Sequence, residues 1–254
     1  MTIWDAGGYI NYPGSLSLLK CILTVAPEIP ITILCQGEVH LGTEAMRSKK
    51  PEAFDLEKDV TTTSLEMLSP ADFRPKTLDR KDVRVDKVEI PTPTLNHYFF
   101  VNVGRSWKWY SRLSWTLSDW RAWVEKENVH TFVGYMKGSP FGYIELDQQG
   151  GSVEIAFFGV LPQFIGHGLG GFLLSEALRL AWQLNPQIVW VHTCTLDHKY
   201  ALDNYLARGF SIYQKVTIQE RIPDDDDPIW STPDYYRSIA EECQDLRHQI
   251  AESM

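Results

Sequence analysis

The sequence predicts an α+β layered domain, a mixed and mostly antiparallel twisted sheet flanked by helices, and two observations carry that prediction. Three short runs rich in β-branched and aromatic residues occupy 129–160, joined by glycine-containing connections that suit hairpins, which is the pattern of an antiparallel meander. A helix-like stretch and another apolar run follow, and strand, helix, strand implies a right-handed crossover to a parallel neighbour.

The elements follow in order. Residues 1–59 read as an N-terminal extension with no assignable chemistry, open to a hairpin added to the sheet, a capping segment or a partly disordered extension. Its most apolar span, Leu16 to Cys35, is interrupted by Lys20, Glu28 and two prolines, so it makes a poor membrane helix. No basic cluster precedes it and no small-residue cleavage pattern follows, so it does not read as a secretory signal. "TLNHYFFVNVG", residues 94–104, reads as the first strand of the sheet. "TLSDWRAWVEKEN" offers Ser118 as a helix N-cap, with Trp120, Trp123 and Val124 at helical spacing. "VHTFVGYM", "FGYIEL" and "SVEIAFFGV" are the meander strands.

Gly168 to Leu184 places Leu169, Leu173, Ala177 and Leu180 on one stripe, widened by Phe172, Leu174, Leu178 and Ala181, so it reads as a largely buried helix. "IVWVHTCT", 188–195, is the next strand. A short helix from about Lys199 to Arg208 stops at Gly209, and "FSIYQKVTIQE" closes with a strand. A main domain is thus expected over 60–222. An acidic linker, "PDDDDP", then leads to a C-terminal helix opened by Thr232-Pro233, together spanning 223–254. Ile239, Cys243, Leu246 and Ile250 are spaced 4-3-4 along that helix. Two heptads do not hold a coiled coil alone, so the helix is expected to dock on the domain or on a second subunit, which leaves a homodimer open.

The net charge of −9 divides into −3 for 1–59, +1 for 60–222 and −7 for 223–254. A near-neutral middle without a basic stripe argues against a nucleic-acid partner, because neutralising phosphates takes clustered Lys and Arg. Four scattered cysteines, Cys21, Cys35, Cys194 and Cys243, make neither a CxxC pair nor a disulfide-dense spacing. A reducing, cytoplasmic setting with no membrane partner is the expectation.

The run Gly166-His167-Gly168-Leu169-Gly170-Gly171 formally satisfies the dinucleotide fingerprint GxGxxG. That fingerprint needs its first glycine directly after the strand, yet "LPQFI" intervenes after Val160. Asp197 lies 31 residues beyond Gly166 rather than about twenty, and the preceding strands are hairpin-linked. No GK[ST] follows, so a P-loop is excluded as well. What survives is physical: glycines opening a helix present unblocked N–H groups and the positive end of the helix dipole to an anion. The alternative is a glycine turn that only lets helix and sheet approach closely.

Gln163-Phe-Ile-Gly166-His-Gly168-Leu-Gly170 resembles the Q/R-x-x-G-x-G/A signature of the GNAT superfamily of N-acetyltransferases. "ALDNYLARGF", residues 201–210, is similar to that family's A-x-x-x-Y-x-x-x-G-F ending. The resemblance covers roughly 60–222 and is clearest over 129–215. It implies acetyl-CoA as cosubstrate and an amine acceptor. The backbone of Phe158, Gly159 and Val160 would pair with the pantetheine arm. Gln163, Ile165, Gly166, His167, Gly168, Leu169 and Gly170 would form the loop that takes the diphosphate on backbone N–H groups, so that little side-chain positive charge is needed.

Glu154, mid-strand, is the expected general base, like the base glutamate of the family's histone-acetylating branch, and Tyr205 the expected acid for the departing thiolate. At 198 many family members carry Asn. His198 stands there instead, which leaves its contact with the pantetheine arm open and makes it a second candidate for the amine proton. His192, Cys194, Asp197 and His198 are close in sequence, but H-x-C-x-x-D-H matches no common zinc spacing, and no metal is expected. The tryptophan-rich stretch 102–123 is expected to flank the acceptor pocket or to be core. The function expected is transfer of an acetyl group to a primary amine by direct attack in a ternary complex. A small molecule or amino acid is the favoured acceptor and a protein amine the next. The alternative is a catalytically silent acyl-CoA-binding or scaffolding module.

Overall fold

The computed structural model describes residues 56–253; the rest of the expected N-terminal extension, with Cys21 and Cys35, lies outside the described residues. The strands are β1 (Leu56–Met67), β2 (Val83–Lys87), β3 (Val129–Met136), β4 (Ser139–Gln149), β5 (Ser152–Val160), β6 (Ile188–Cys194) and β7 (Ser211–Ile222). The helices are α1 (Pro93–Gly104), α2 (Leu117–Val124), α3 (Leu169–Gln183), α4 (Ala201–Ala207) and α5 (Pro233–Ser253). Among the described residues one seven-stranded sheet runs β2-β3-β4-β5-β6-β1-β7.

The meander forms as expected. Both hairpins close on two residues at positive φ, Lys137-Gly138 (51° and 85°) and Gly150-Gly151 (54° and 88°). That backbone matches the twist of the flanking strands. It lets β4 run from Ser139 to Gln149, longer than "FGYIEL" suggested. The crossover through α3 makes β5 and β6 parallel neighbours. Leu173, Leu174, Ala177, Leu178 and Ala181 of α3 are fully buried against Val153, Ile155, Val189 and Val191 of these two strands. Each of the buried leucine, isoleucine and valine side chains contributes about 1.5–3 kcal/mol by leaving water, and each alanine methyl less.

Two expectations fail. "TLNHYFFVNVG" is the helix α1 and not a strand. Pro93 stands in its first turn after an extended Thr92, a placement in which the missing N–H costs nothing. The helix is buried on several sides: Phe100 joins the α2 and α5 cluster, while Phe99 and Val103 pack on Val133, Tyr143 and Leu161. Its buried face includes the polar Asn96 and His97 while the aromatic Tyr98 is exposed, so the sequence shows no clean apolar stripe, and its aromatic and valine content imitates a strand. Close approach of α1 to the sheet depends on Gly159, where a Cβ would stand 2.2 Å from Cγ1 of Val103. The cap of α2 is Thr116 rather than Ser118. Thr116 Oγ1 accepts from the Asp119 N–H at 3.2 Å, and Asp119 Oδ2 accepts from the Thr116 N–H at 2.9 Å. This reciprocal capping box satisfies two donors where Ser118 would satisfy one.

The sheet also contains a strand the sequence reading did not anticipate. β1 begins at Leu56, ahead of the expected boundary at 60, and lies between β6 and β7, antiparallel to both. It pairs along its whole length with β7, from Leu56 opposite Ile222 to Glu66 opposite Ser211.

α5 docks on the domain through its first turns. Tyr235 is buried, Ile239 packs on the Phe100, Leu113 and Trp120 cluster, Ser238 Oγ accepts the Leu117 N–H at 2.8 Å, and Arg121 pairs with Glu242 at 3.0 Å. No helix among the described residues is long and apolar enough to cross a membrane.

At this junction His97 is buried, stacked on Tyr235 at 3.5 Å, with Nε2 3.1 Å from Thr232 Oγ1. Burial lowers its pKa from 6.5 to about 4. Between those values the unfolded chain binds a proton that the folded chain does not, so stability is full above pH 6.5 and is lost as pH falls toward 4. The loss expected from this one group is at most about 3 kcal/mol. Urea denaturation of the wild type and His97→Gln at pH 7 and pH 4.5 checks this: the drop between the two pH values should shrink in the variant. Equal drops would remove His97 as the cause.

Candidate active site

A cleft of about 690 Å³ opens between β5 and β6, bounded by the start of α3, the loop 107–111 and the segment 196–205. Strand geometry makes it. β5 and β6 pair only at Ser152–Ile188, Val153–Val189 and Glu154–Trp190. One step later β5 carries a bulge: Leu146 of β4 pairs with Ile155 and Glu145 with Phe157, leaving Ala156 as the extra residue. A bulge bends its strand and resets which side chains face each side. Beyond it, Phe158 and Val160 pack toward α3, while Phe157 turns toward α1 and α2. From Phe157 to Val160 the backbone pairs with β4 on one edge, and β6 has moved off the other.

The glycine cluster closes one end of this gap. After a 3-10 turn at Pro162–Phe164, Gly166 (φ 87°) and Gly168 (φ 75°) take left-handed conformations, and α3 starts at Leu169. A Cβ at either glycine would meet nothing within 4 Å. The requirement is therefore for backbone conformation and open space before the helix N-terminus, not for close packing.

Of the residues expected to bind cofactor, Phe158, Gly159, Val160, Ile165, Gly166, Gly168, Gly170 and His198 line the cleft. Leu169 is buried in the core, and the side chains of Gln163 and His167 are exposed outside the cleft lining, with His167 Nδ1 3.2 Å from its neighbour carbonyl at Ile165. One contributor was missed because nothing local announces it. Lys76, in the loop between β1 and β2, lines the cleft, and its Cδ stands 2.7 Å from where a Gly171 Cβ would be. Its own N–H is held by Ser175 Oγ of α3 at 2.8 Å. Arg208 packs beside the same glycine, with Nη1 3.5 Å from the Gly171 carbonyl oxygen and a buried Nε that has no partner. Positive side chains thus do reach the first turn of α3, from segments distant in sequence.

Tyr205 is buried at the cleft wall, edge-on to Phe158 and Phe210. Burial, with the Asp197 carboxylate adding to it, raises its pKa well above 10, so the phenol keeps its proton. Asp197 is held by Thr193 Oγ1 at 2.6 Å, the Cys194 N–H at 3.1 Å and Trp109 Nε1 at 3.4 Å. His198 accepts the Tyr200 N–H on Nδ1 at 3.2 Å and lies edge-on to Trp107.

Glu154 does not line the cleft. Its side chain is mostly covered and stands behind His192, whose Nδ1 is 3.3 Å from Glu154 Oε1. His192 and Cys194 share a face of β6, as strand alternation requires, and both line the cleft. Among the described residues no three His, Cys, Asp or Glu side chains converge as a metal site would need.

The tryptophan-rich segment divides in two. Trp107, Trp109 and Tyr110 line the cleft, with the Tyr110 hydroxyl donating to Glu220 of β7. Trp115, Trp120 and Trp123 instead surround Arg112, whose guanidinium carbon is 4.3–5.4 Å from their ring centres.

Among solved structures, a GCN5-related N-acetyltransferase from Kribbella flavida aligns with 15% identity and a TM-score of 0.48, covering 65% of this chain and 60% of that one. A GCN5-related N-acetyltransferase from Sphaerobacter thermophilus aligns with 14% identity and a TM-score of 0.49, covering 68% and 55%. The chain thus spans little more than half the length of these structures. No curated protein sequence matches it. The family model described as acetyltransferase (GNAT) family matches residues 94–210, from α1 to the residue before β7. This chain therefore carries a domain of the GNAT acetyltransferase family.

Proposed function

We propose that the protein is an acetyl-CoA-dependent N-acetyltransferase acting on a primary amine, a small molecule or amino acid ahead of a protein amine. One observation carries this reading: the unpaired edge of β5 past the bulge, the left-handed glycines before α3, and Tyr205 all border one cleft. These features fit the cosubstrate. The open backbone at Gly166 and Gly168, together with Lys76, suits a diphosphate, and the free edge of Phe157 to Val160 suits an extended arm bearing amides.

Bound acetyl-CoA would supply the activated acetyl group as a thioester. The residues would do the rest. β5 N–H groups orient the arm, loop N–H groups and Lys76 anchor its charged end, and the Tyr205 hydroxyl gives its proton to the leaving sulfur. On the same cleft, Trp107, Trp109 and Tyr110 offer aromatic faces together with the carboxylates of Asp197 and Glu220. Such walls suit an amine that arrives as a cation.

Calorimetry with acetyl-CoA, followed by an assay of free thiol released against a panel of primary amines, tests the reading. Micromolar binding and amine-dependent thiol release are expected. Tight binding with no thiol release on any amine would instead favour a silent acyl-CoA-binding module, and no binding would overturn both.

A further inference from the structure

We propose that His192 takes the proton from the acceptor amine, with Glu154 behind it as a positioning residue; this assignment rests on the acyl-transfer reading above. The geometry separates the two roles. Glu154 was the carboxylate expected to act directly, yet it is mostly covered and absent from the cleft wall, whereas His192 is half-exposed and on that wall. The carboxylate faces Nδ1 at 3.3 Å. It therefore favours the tautomer with the proton on Nδ1 and leaves the Nε2 lone pair free, as an orienting carboxylate does in other histidine bases.

Position along the strands points the same way. The glycine loop follows Val160, and β5 and β6 close together at the Glu154–Trp190 pair. A ligand anchored at the loop and extended back along the free edge travels about 13 Å over the four steps from Val160 to Ala156. Its far end then arrives where the gap closes, beside the next residue outward on β6 that shares Trp190's face, which is His192. His198 is placed differently: its Nδ1 accepts a backbone N–H and its ring stands edge-on to Trp107.

Charged and titratable groups around His192 come from each neighbouring element. Glu154 faces it from β5 and Asp197 acts from the loop after β6, while β1 presents Ser64 directly opposite and Glu66 opposite Trp190. Cys194 lies two residues along its own strand. The bond to Glu154, above all, raises the His192 pKa above 6.5 against the effect of burial. A stronger base results.

The proton balance closes. The ammonium R–NH3+ gives one proton to Nε2 of His192. The neutral nitrogen forms the C–N bond as the C–S bond breaks; Tyr205 protonates the thiolate sulfur, and the second proton shed by the nitrogen replaces, through solvent, the one Tyr205 gave. One proton leaves from the imidazolium to solvent, so the products are amide, free thiol and H+.

His192→Gln and Glu154→Gln, assayed with the amine turned over fastest, separate the roles. His192→Gln should lower kcat/KM for the amine by about 10²-fold or more, with unchanged acetyl-CoA binding by calorimetry and no remaining acid limb in the pH profile. In Glu154→Gln the loss should be smaller and the acid limb should move to lower pH, because the group that raises the histidine pKa is gone. The NMR titration of the His192 ring in the free protein should midpoint above 6.5 and fall in the same variant. An active wild type in which His192→Gln keeps its rate and acid limb, or in which Glu154→Gln loses more than His192→Gln, would overturn this assignment alone. A wild type that releases thiol with no amine would overturn it together with the acetyltransferase reading.

Discussion

Replacing Arg112 by leucine is expected to lower the free energy of unfolding by about 3–5 kcal/mol. Arg112 is 6% exposed and Glu145 fully buried; their charged atoms meet at 2.9 and 3.3 Å, and Trp123 Nε1 gives Glu145 a further hydrogen bond at 2.6 Å. The guanidinium also sits 4.3 Å from the centre of Phe157, the first β5 residue past the bulge. Leucine would remove the cation and leave a carboxylate buried beside apolar rings. That cost is the penalty for an unpaired buried charge and not the net worth of the pair. The double variant Arg112→Leu, Glu145→Leu should therefore be much less destabilised than the single one. Urea denaturation at pH 7 reads both, and a single-variant loss below about 1 kcal/mol would show that the pair is not held as described. Because Glu145 stands directly opposite Phe157 in the β4–β5 ladder, the same pair holds the strand that forms one wall of the cleft.

Tyr205→Phe should lower kcat by 10²- to 10⁴-fold, the usual range for loss of a general acid, while acetyl-CoA affinity changes little. The ring packs between Phe158 and Phe210, and phenylalanine preserves that packing. What is lost is a hydroxyl whose burial keeps it protonated well above neutral pH. Single-turnover thiol release, which bypasses product release, is the proper readout. A change under about fivefold would remove Tyr205 from proton delivery and leave it a packing residue.

The parts of the fold legible in the sequence are those whose cause is local. The meander shows in alternating runs split by residues that tolerate positive φ, and α3 shows because one face meets the sheet while the other meets water. α1 reads as a strand because Asn96 and His97 lie on its buried face and Tyr98 on its exposed one, which blurs the apolar period, and its content of Tyr98, Phe99, Phe100, Val101 and Val103 mimics a strand. β1 passed unread for a different reason. Its run Val60 to Thr63 is β-branched enough, but the partners that make it a strand, β6 and β7, lie more than 120 residues away.

The site divides along the same line. The glycine loop, the apolar β5 and the "YLARGF" ending are contiguous signals, and they sufficed to select coenzyme A over a nicotinamide cofactor as the expected ligand. Lys76 reaches the first turn of α3 only because its loop folds across that helix. Which of Trp107, Trp109, Trp115, Trp120 and Trp123 border the cleft and which enclose Arg112 is decided by packing around one buried charge.

By itself, then, the sequence determined the strand and helix order from 129 to 210 and the family, because backbone conformation and periodicity are written in neighbouring residues. Only the tertiary structure decided that Glu154 stands behind His192. That follows from the bulge at Ala156, set by the register of β5 against β4, and from where β5 and β6 part, which depends on pairs 36 residues apart in sequence, beyond the reach of any local pattern.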